Sequence, residues 1–296
     1  MRVVAVHPDA LVITSRMWQT NAVLLRAARE EGVDSGAAAA GSEAGDVRSG
    51  TEAMLVDSPY FPDELEALPA LARETGFEVE ALLATHGDFD HLLGRLAFPN
   101  LALGVGGTTS ARLRAEPGTA QRELRDADAE HYVRRERPLS LGATEELPVP
   151  GRLELGGEEL ELHATSGHTA DGMAIVARHV GLLLCGDYLS GVEVPVISPG
   201  GSLDSYRATL AVLASLVETT ERVVPGHGPP LERERALRVL DEDVDYLDAL
   251  ERGDERTRLP DGRDTRRQRE IHVENVAVLA RGTRSTARGS LPCSDC

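Results

Sequence analysis

An apolar run from Val79 to Thr85 ends abruptly in HGDFDH, which puts His86, Asp88, Asp90 and His91 into six consecutive residues. No other feature constrains the fold so tightly. Two imidazoles and two carboxylates cannot enter a protein interior without partners, yet they directly follow a strand that reads as buried. The consistent solution is a strand ending at a sheet edge, whose following turn aims its polar groups at one shared point. Three more donors stand at similar breaks. His168 lies in SGHTADG, 77 residues beyond His91; Asp187 lies in CGDYL, 19 further on; His227 lies in PGHG, 40 beyond that. All are imidazoles or carboxylates, the groups that zinc, iron and manganese accept.

The surrounding pattern supplies the scaffold. Ala10 to Thr14, Ala22 to Arg26 and Glu52 to Val56 are short apolar runs bounded by polar or turn residues, as strands are. Leucines at 65, 68 and 71 suit an amphipathic helix over 63 to 75. Residues 91 to 97 and 110 to 137 read as helices, the second highly charged and exposed. Strand signals return between 147 and 187 in LELHAT, MAIVARHV and GLLLCGD. Helices are expected at 204 to 219, 231 to 252 and 266 to 279, with a short strand at 222 to 224. Strands and helices thus alternate in two successive groups, which argues for one α/β domain over residues 1–252. Residues 34–50 are low in complexity and read as a mobile loop, 253–281 as a C-terminal helical extension, and 282–296 as a disordered tail.

Taken together, the motifs resemble the metallo-β-lactamase fold superfamily, whose usual first motif is H-x-H-x-D-H. The glycine-histidine-threonine loop, the glycine-aspartate strand end and the proline-glycine-histidine loop follow in the family's order. The likeness covers roughly residues 10 to 230, with Asn21 and Asp57 where the family has Asn and Asp in its first strands. The resemblance implies a four-layer αβ/βα sandwich with a dinuclear site at the sheet edge. It places His86, Asp88 and His168 on a first metal, and Asp90, His91 and His227 on a second, with Asp187 bridging. It further implies a metal-dependent hydrolase that uses a metal-bound hydroxide, oriented by Asp90, to cleave a small-molecule ester, thioester, lactone or amide. Two divalent ions are implied, zinc first, with iron or manganese as alternatives.

Asp88 departs from the family pattern, which has histidine there. A carboxylate is still a competent ligand. However, three carboxylates cancel the formal charge of two dications and a hydroxide, whereas histidine would leave one positive charge. A neutral site attracts anionic substrates less, so β-lactam antibiotics with their carboxylate are disfavoured. Asp88 also keeps an iron-dependent oxidoreductase in view, and a non-catalytic metal-binding relative is the third class.

Other residues carry weaker signals. Trp18, between two strand signals, and Tyr60 and Tyr188, after strand ends, are candidate substrate contacts, as is Phe61. His163 reads as a structural strand residue; His7, His131 and His179 read as solvated; His272 reads as surface or packing. Cys185 sits in an apolar strand and is expected to be a buried small hydrophobe. Cys293 and Cys296 have metal-ligand spacing, but a lone C-x-x-C is weak. With so few cysteines, a reducing cytoplasm is the expected compartment. The N-terminus lacks a signal-peptide run, and no apolar stretch is long enough to span a membrane. A net charge of −18, with every basic residue an arginine, weighs against a nucleic-acid partner and leaves a small molecule as the expected one.

Overall fold

The computed structural model describes residues 1–27, 52–253 and 257–288. The first strands, β1 (Arg2–His7), β2 (Ala10–Thr14), β3 (Asn21–Arg26) and β4 (Glu52–Asp57), form an antiparallel meander. Helix α1 (Pro62–Glu74) leads to β5 (Glu78–Leu83), which pairs parallel to β4. After α2 (Gly94–Ala97) comes β6 (Leu103–Gly106), and after α3 (Gly107–Ala115) and α4 (Thr119–Glu130) comes β7 (Thr144–Leu147), both again parallel. The seven strands lie in chain order.

A second sheet begins with β8 (Gly151–Leu155), β9 (Glu158–Ala164), β10 (Met173–Ala177) and β11 (Leu182–Leu184), all antiparallel. Helix α5 (Leu203–Val217) crosses over to β12 (Arg222–Val224), parallel to β11, and β13 (Leu231–Glu232) closes the edge. Helices α6 (Arg233–Glu251) and α7 (Arg266–Arg288) follow.

The side-chain period of two explains the layering. Along the first sheet, Val12, Val23, Leu25, Met54, Val56 and Leu83 turn inward. They meet Leu160, Leu162, Met173, Ile175, Leu182, Leu184 and Val224 of the second sheet. The alternate residues Ile13, Leu24, Leu55 and Leu82 pack outward with Leu65 and Leu68 of α1. On the other side, Ala174, Val176, Leu183 and Val223 pack with Leu210 and Leu213 of α5 and Val239 and Leu247 of α6. The result is the expected αβ/βα sandwich of four layers. Central strands covered on both faces are apolar along most of their length, which is why the interiors of β2, β3 and β10 read as apolar runs.

Several boundaries differ from the sequence expectation. The single helix over 110 to 137 is two helices, because Pro117 offers no amide hydrogen and Gly118 adopts φ of +79° as the N-cap of α4. The strand in MAIVARHV stops at Ala177, and a 3₁₀ turn takes Arg178–Val180. Helix α7 runs to Arg288, past the boundary expected at 281. The loop at 34–50, Cys293 and Cys296 lie outside the described residues.

Candidate metal centre

The two sheets converge where their strands end. The Met173 amide at the start of β10 donates to the Thr85 carbonyl beyond β5, at 2.8 Å. The Asn21 amide of β3 donates to Gly226 at 2.7 Å, and Thr20 bridges to His227. The Asn21 side-chain amide also donates to the carbonyls of Pro225 and Gly228, at 2.8 and 2.7 Å. A residue of the first sheet therefore holds the PGHG loop of the second. Gly226 has to be glycine, since a Cβ there would lie 2.0 Å from Asp187 Oδ1.

These contacts bring all seven expected donors into one cluster, its four histidines buried and Asp88 and Asp187 partly so. His86, Asp88 and His168 form one group whose donor atoms lie within 4.8 Å of one another; Asp90, His91 and His227 form a second. Asp187 groups with His86 and His91, one from each. Its Oδ2 is 3.4 Å from His168 Nε2 and 3.3 Å from His227 Nε2, and its Oδ1 is 3.2 Å from His91 Nε2.

Each histidine has a polar partner close to its other nitrogen. His91 Nδ1 is 3.1 Å from Asp57 Oδ2, and Asp57 in turn accepts from the Thr85 amide and hydroxyl. His168 Nδ1 faces the Val196 carbonyl at 2.9 Å, His227 Nδ1 faces the Trp18 carbonyl at 3.1 Å, and His86 Nδ1 faces the Thr85 hydroxyl at 3.2 Å. All four Nε2 atoms consequently point at the cluster, the arrangement by which outer partners fix metal-ligating imidazoles. The backbone is strained where it serves this purpose. Asp57, Trp18 and Gln19 adopt φ of +58°, +50° and +54°, a region that non-glycine residues rarely visit.

The electrostatics fit cations. Burial opposes ionisation of Asp187 and Asp88, yet the facing imidazoles hold both carboxyls well below their usual range. Burial likewise would push the imidazoliums down, but Asp88 and Asp187 raise His168 to about 9, and Glu193 and Asp187 raise His227 to about 10. Meanwhile His86 Nε2, His91 Nε2 and Asp187 Oδ1 are buried without a hydrogen-bond partner. Unpartnered buried nitrogens and oxygens converging in two groups around a shared carboxylate suit two divalent ions.

Asp88 divides its oxygens. Oδ2 faces His168 Nε2 at 3.3 Å and His86 Nε2 at 3.7 Å, inside the cluster. Oδ1 pairs with Arg112 of α3 at 2.8 Å. Arg112 also pairs with Asp171 at 2.8 Å, and Asp171 accepts the Gly87 amide inside the motif turn at 2.9 Å. Sequence reasoning misses both Arg112 and Asp171. Arg112 reads as one more exposed charge on a charged helix, and nothing in SGHTADG marks Asp171 for a role. Together they are formally neutral, so the charge tally stands, but half of Asp88 is turned away from the cluster.

The candidate substrate contacts fare differently. Tyr60 is fully buried, its hydroxyl donating to Asp128 at 2.8 Å. Tyr188 is also buried, and its hydroxyl accepts the His168 amide at 3.1 Å. Neither presents surface to a ligand; both are packing residues that a strand-end position alone could not distinguish. Trp18 is half-buried, edge-on to Tyr60, Phe89 and His131 with ring centroids 5.2, 6.1 and 5.6 Å away. Phe61 is half-buried beneath Arg16. His163 sits on β9 beside Glu161, and His272 is buried beside Tyr246. His131 is exposed, and Cys185 is buried in the second core. No helix among the described residues is long and apolar enough to cross a membrane.

The chain is similar to known proteins in sequence and in fold. The chain is 25% identical over 206 residues to the Beta-lactamase-like protein 2 homolog of Caenorhabditis elegans, a match covering 69% of this chain and 61% of that relative. A metallo-beta-lactamase family protein from Thermus thermophilus superposes with a TM-score of 0.59 at 21% identity, covering 83% of each chain. A protein crystallised in a di-iron-bound form superposes at 0.53 with 25% identity, over 77% of this chain and 97% of the other. The sequence profile of the metallo-beta-lactamase superfamily matches residues 47–227, the span that holds all seven donors, and the chain belongs to that superfamily.

Proposed function

We propose that the protein is a metal-dependent hydrolase acting on a small, neutral or weakly charged ester, thioester, lactone or amide in the cytoplasm. Superfamily membership supports hydrolase-type chemistry that depends on metal. One observation carries the finer reading: two separate donor triads, each within 4.8 Å, share Asp187. His86, Asp88 and His168 would hold the first ion, Asp90, His91 and His227 the second, with Asp187 between them. Ions held there would acidify a bound water and polarise a carbonyl oxygen.

The chain's own residues do the rest. Asp90, buried beside His91 and His227, orients the attacking water and takes its proton through the carboxylate. Trp18 packs edge-on against Phe89 of the motif turn, an apolar pair that suits an uncharged substrate. Zinc is the first metal to test and iron the second, because Asp88 is a hard ligand and one similar structure is di-iron-bound. The test pairs metal analysis with a panel of ester, thioester, lactone and phosphodiester substrates on wild type, Asp90→Ala and His227→Ala. Wild type is expected to bind two ions and turn over a neutral carbonyl substrate; both variants are expected to fold yet lose activity. Under a tenth of an equivalent of metal in reconstituted wild type would overturn the proposal.

A further inference from the structure

Helix α7 lies beyond the residues that match the superfamily, 47–227, yet it reaches the metal centre through the segment 190–198. The backbone groups of that segment face two ways in turn. Toward α7, the Val194 amide donates to Gln268 Oε1 at 2.8 Å, the Pro195 carbonyl accepts from Asn275 Nδ2 at 2.7 Å, and the Ile197 amide donates to Asn275 Oδ1 at 2.9 Å. Toward the centre, the Val196 carbonyl faces His168 Nδ1 at 2.9 Å, and the Ser198 amide donates to the His168 carbonyl at 2.8 Å.

Gln268 and Asn275 are 4% and 1% exposed, so these bonds have no water to replace them. The second amide hydrogen of Asn275 goes to the Tyr246 hydroxyl of α6 at 3.0 Å, which fixes which way the amide points. Upstream, the fully buried Arg263 donates to the carbonyls of Ser190 and Glu193 and pairs with Asp243. The strap is thus clamped along its length from the C-terminal side.

We propose that Gln268 and Asn275 are positioning residues for His168: α7 clamps the strap, and the Val196 carbonyl then fixes the tautomer and ring of one metal ligand. An Nδ1–H donated to Val196 leaves the Nε2 lone pair for the ion. The other groups of the centre do not depend on this strap through their rings, since His227 leans on Trp18 and His91 on Asp57. Breaking the clamp should therefore weaken the first triad most, because the same segment meets the second only through the Ser190 hydroxyl on the His227 carbonyl and leaves the His227 ring on Trp18.

The inference rests on the metal-centre reading, and one experiment separates the two. Full-length wild type, Asn275→Ala and Gln268→Met are titrated with zinc in graded chelator buffers, and the His168 ring N–H is followed by NMR. The variants are expected to lose about tenfold in affinity at one site and to keep the other within twofold, with the His168 N–H signal exchanging faster. If Asn275→Ala does not fold, Gln268→Met, which removes one acceptor only, carries the same comparison. Wild type that takes up no metal overturns both readings. Wild type that takes up two, with folded variants unchanged or weakened equally at both sites, overturns this one alone.

Discussion

Metal uptake should expel protons, in a number the structure specifies. Without metal, the carboxylates hold His168 to about 9 and His227 to about 10, and they raise His91 well above the ordinary imidazole range. Only deprotonated imidazoles ligate. At pH 7 His168 is therefore about 2 units, and His227 about 3 units, below the pH at which half is neutral. Displacing those protons costs roughly 3 and 4 kcal/mol respectively, at about 1.4 kcal/mol per unit. Filling both triads at pH 7 should release at least two protons, one each from His168 and His227.

The two sites should differ in slope. The first triad loses the His168 proton, so its apparent affinity should rise about tenfold from pH 7 to 8; the second loses the His227 proton and draws on His91, also raised, so its rise should be steeper. Calorimetric zinc titrations of chelator-treated protein, in buffers of differing ionisation enthalpy, measure both quantities. Stability follows the same groups with a definite sign. Their folded values lie above the unfolded one near 6.5, so the pairing stabilises fully below about pH 6.5 and is lost as pH rises through about 9 and 10. Chelated protein should melt lower at pH 10 than at pH 6.5, while metal-loaded protein should not follow that trend. Release of fewer than one proton, or affinities flat between pH 7 and 8, would show that the imidazolium–carboxylate pairs do not form.

Two further outcomes concern single residues. Asp88→Ala should bind close to one ion. Asp88→His should bind two with a shift toward zinc, but about tenfold more weakly at the first site, because Arg112 loses a carboxylate and faces an imidazole. Adding Arg112→Met should restore that loss; equal effects of Arg112→Met in both backgrounds would show the pair to be uncoupled. Trp18 holds His227 through its carbonyl and packs edge-on to Phe89 of the motif turn, so its fluorescence should change on metal loading. An unchanged spectrum would mean that this loop does not sense the second site.

Much of the architecture was legible because its signals are local. Strands covered on both faces are apolar along most of their length, so the interiors of β2, β3 and β10 could be read directly from composition. Donors placed just beyond such runs had to gather at a strand end, and their order matched a known family pattern. The helix break at Pro117 and Gly118 was also written in the chain, but charge continuity from 110 to 137 masked it.

What the sequence could not determine by itself is anything set by how distant surfaces meet. His168 and Asp88 are 80 residues apart, and only the packing of the two sheets brings their atoms to 3.3 Å. Arg112 is one of 31 arginines. Its side chain carries no address, and the packing of α3 at the sheet edge selected Asp88 and Asp171 as its partners. Tyr60 and Tyr188 follow strand ends as pocket residues do, yet each is buried with a satisfied hydroxyl. Gln268 and Asn275 look like ordinary polar positions on a charged helix, and they become clamps only because α7 packs against the strap beside His168. Periodicity and spacing constrain neighbours along the chain, whereas hydrogen-bond partners across layers depend on which faces the folded core presses together.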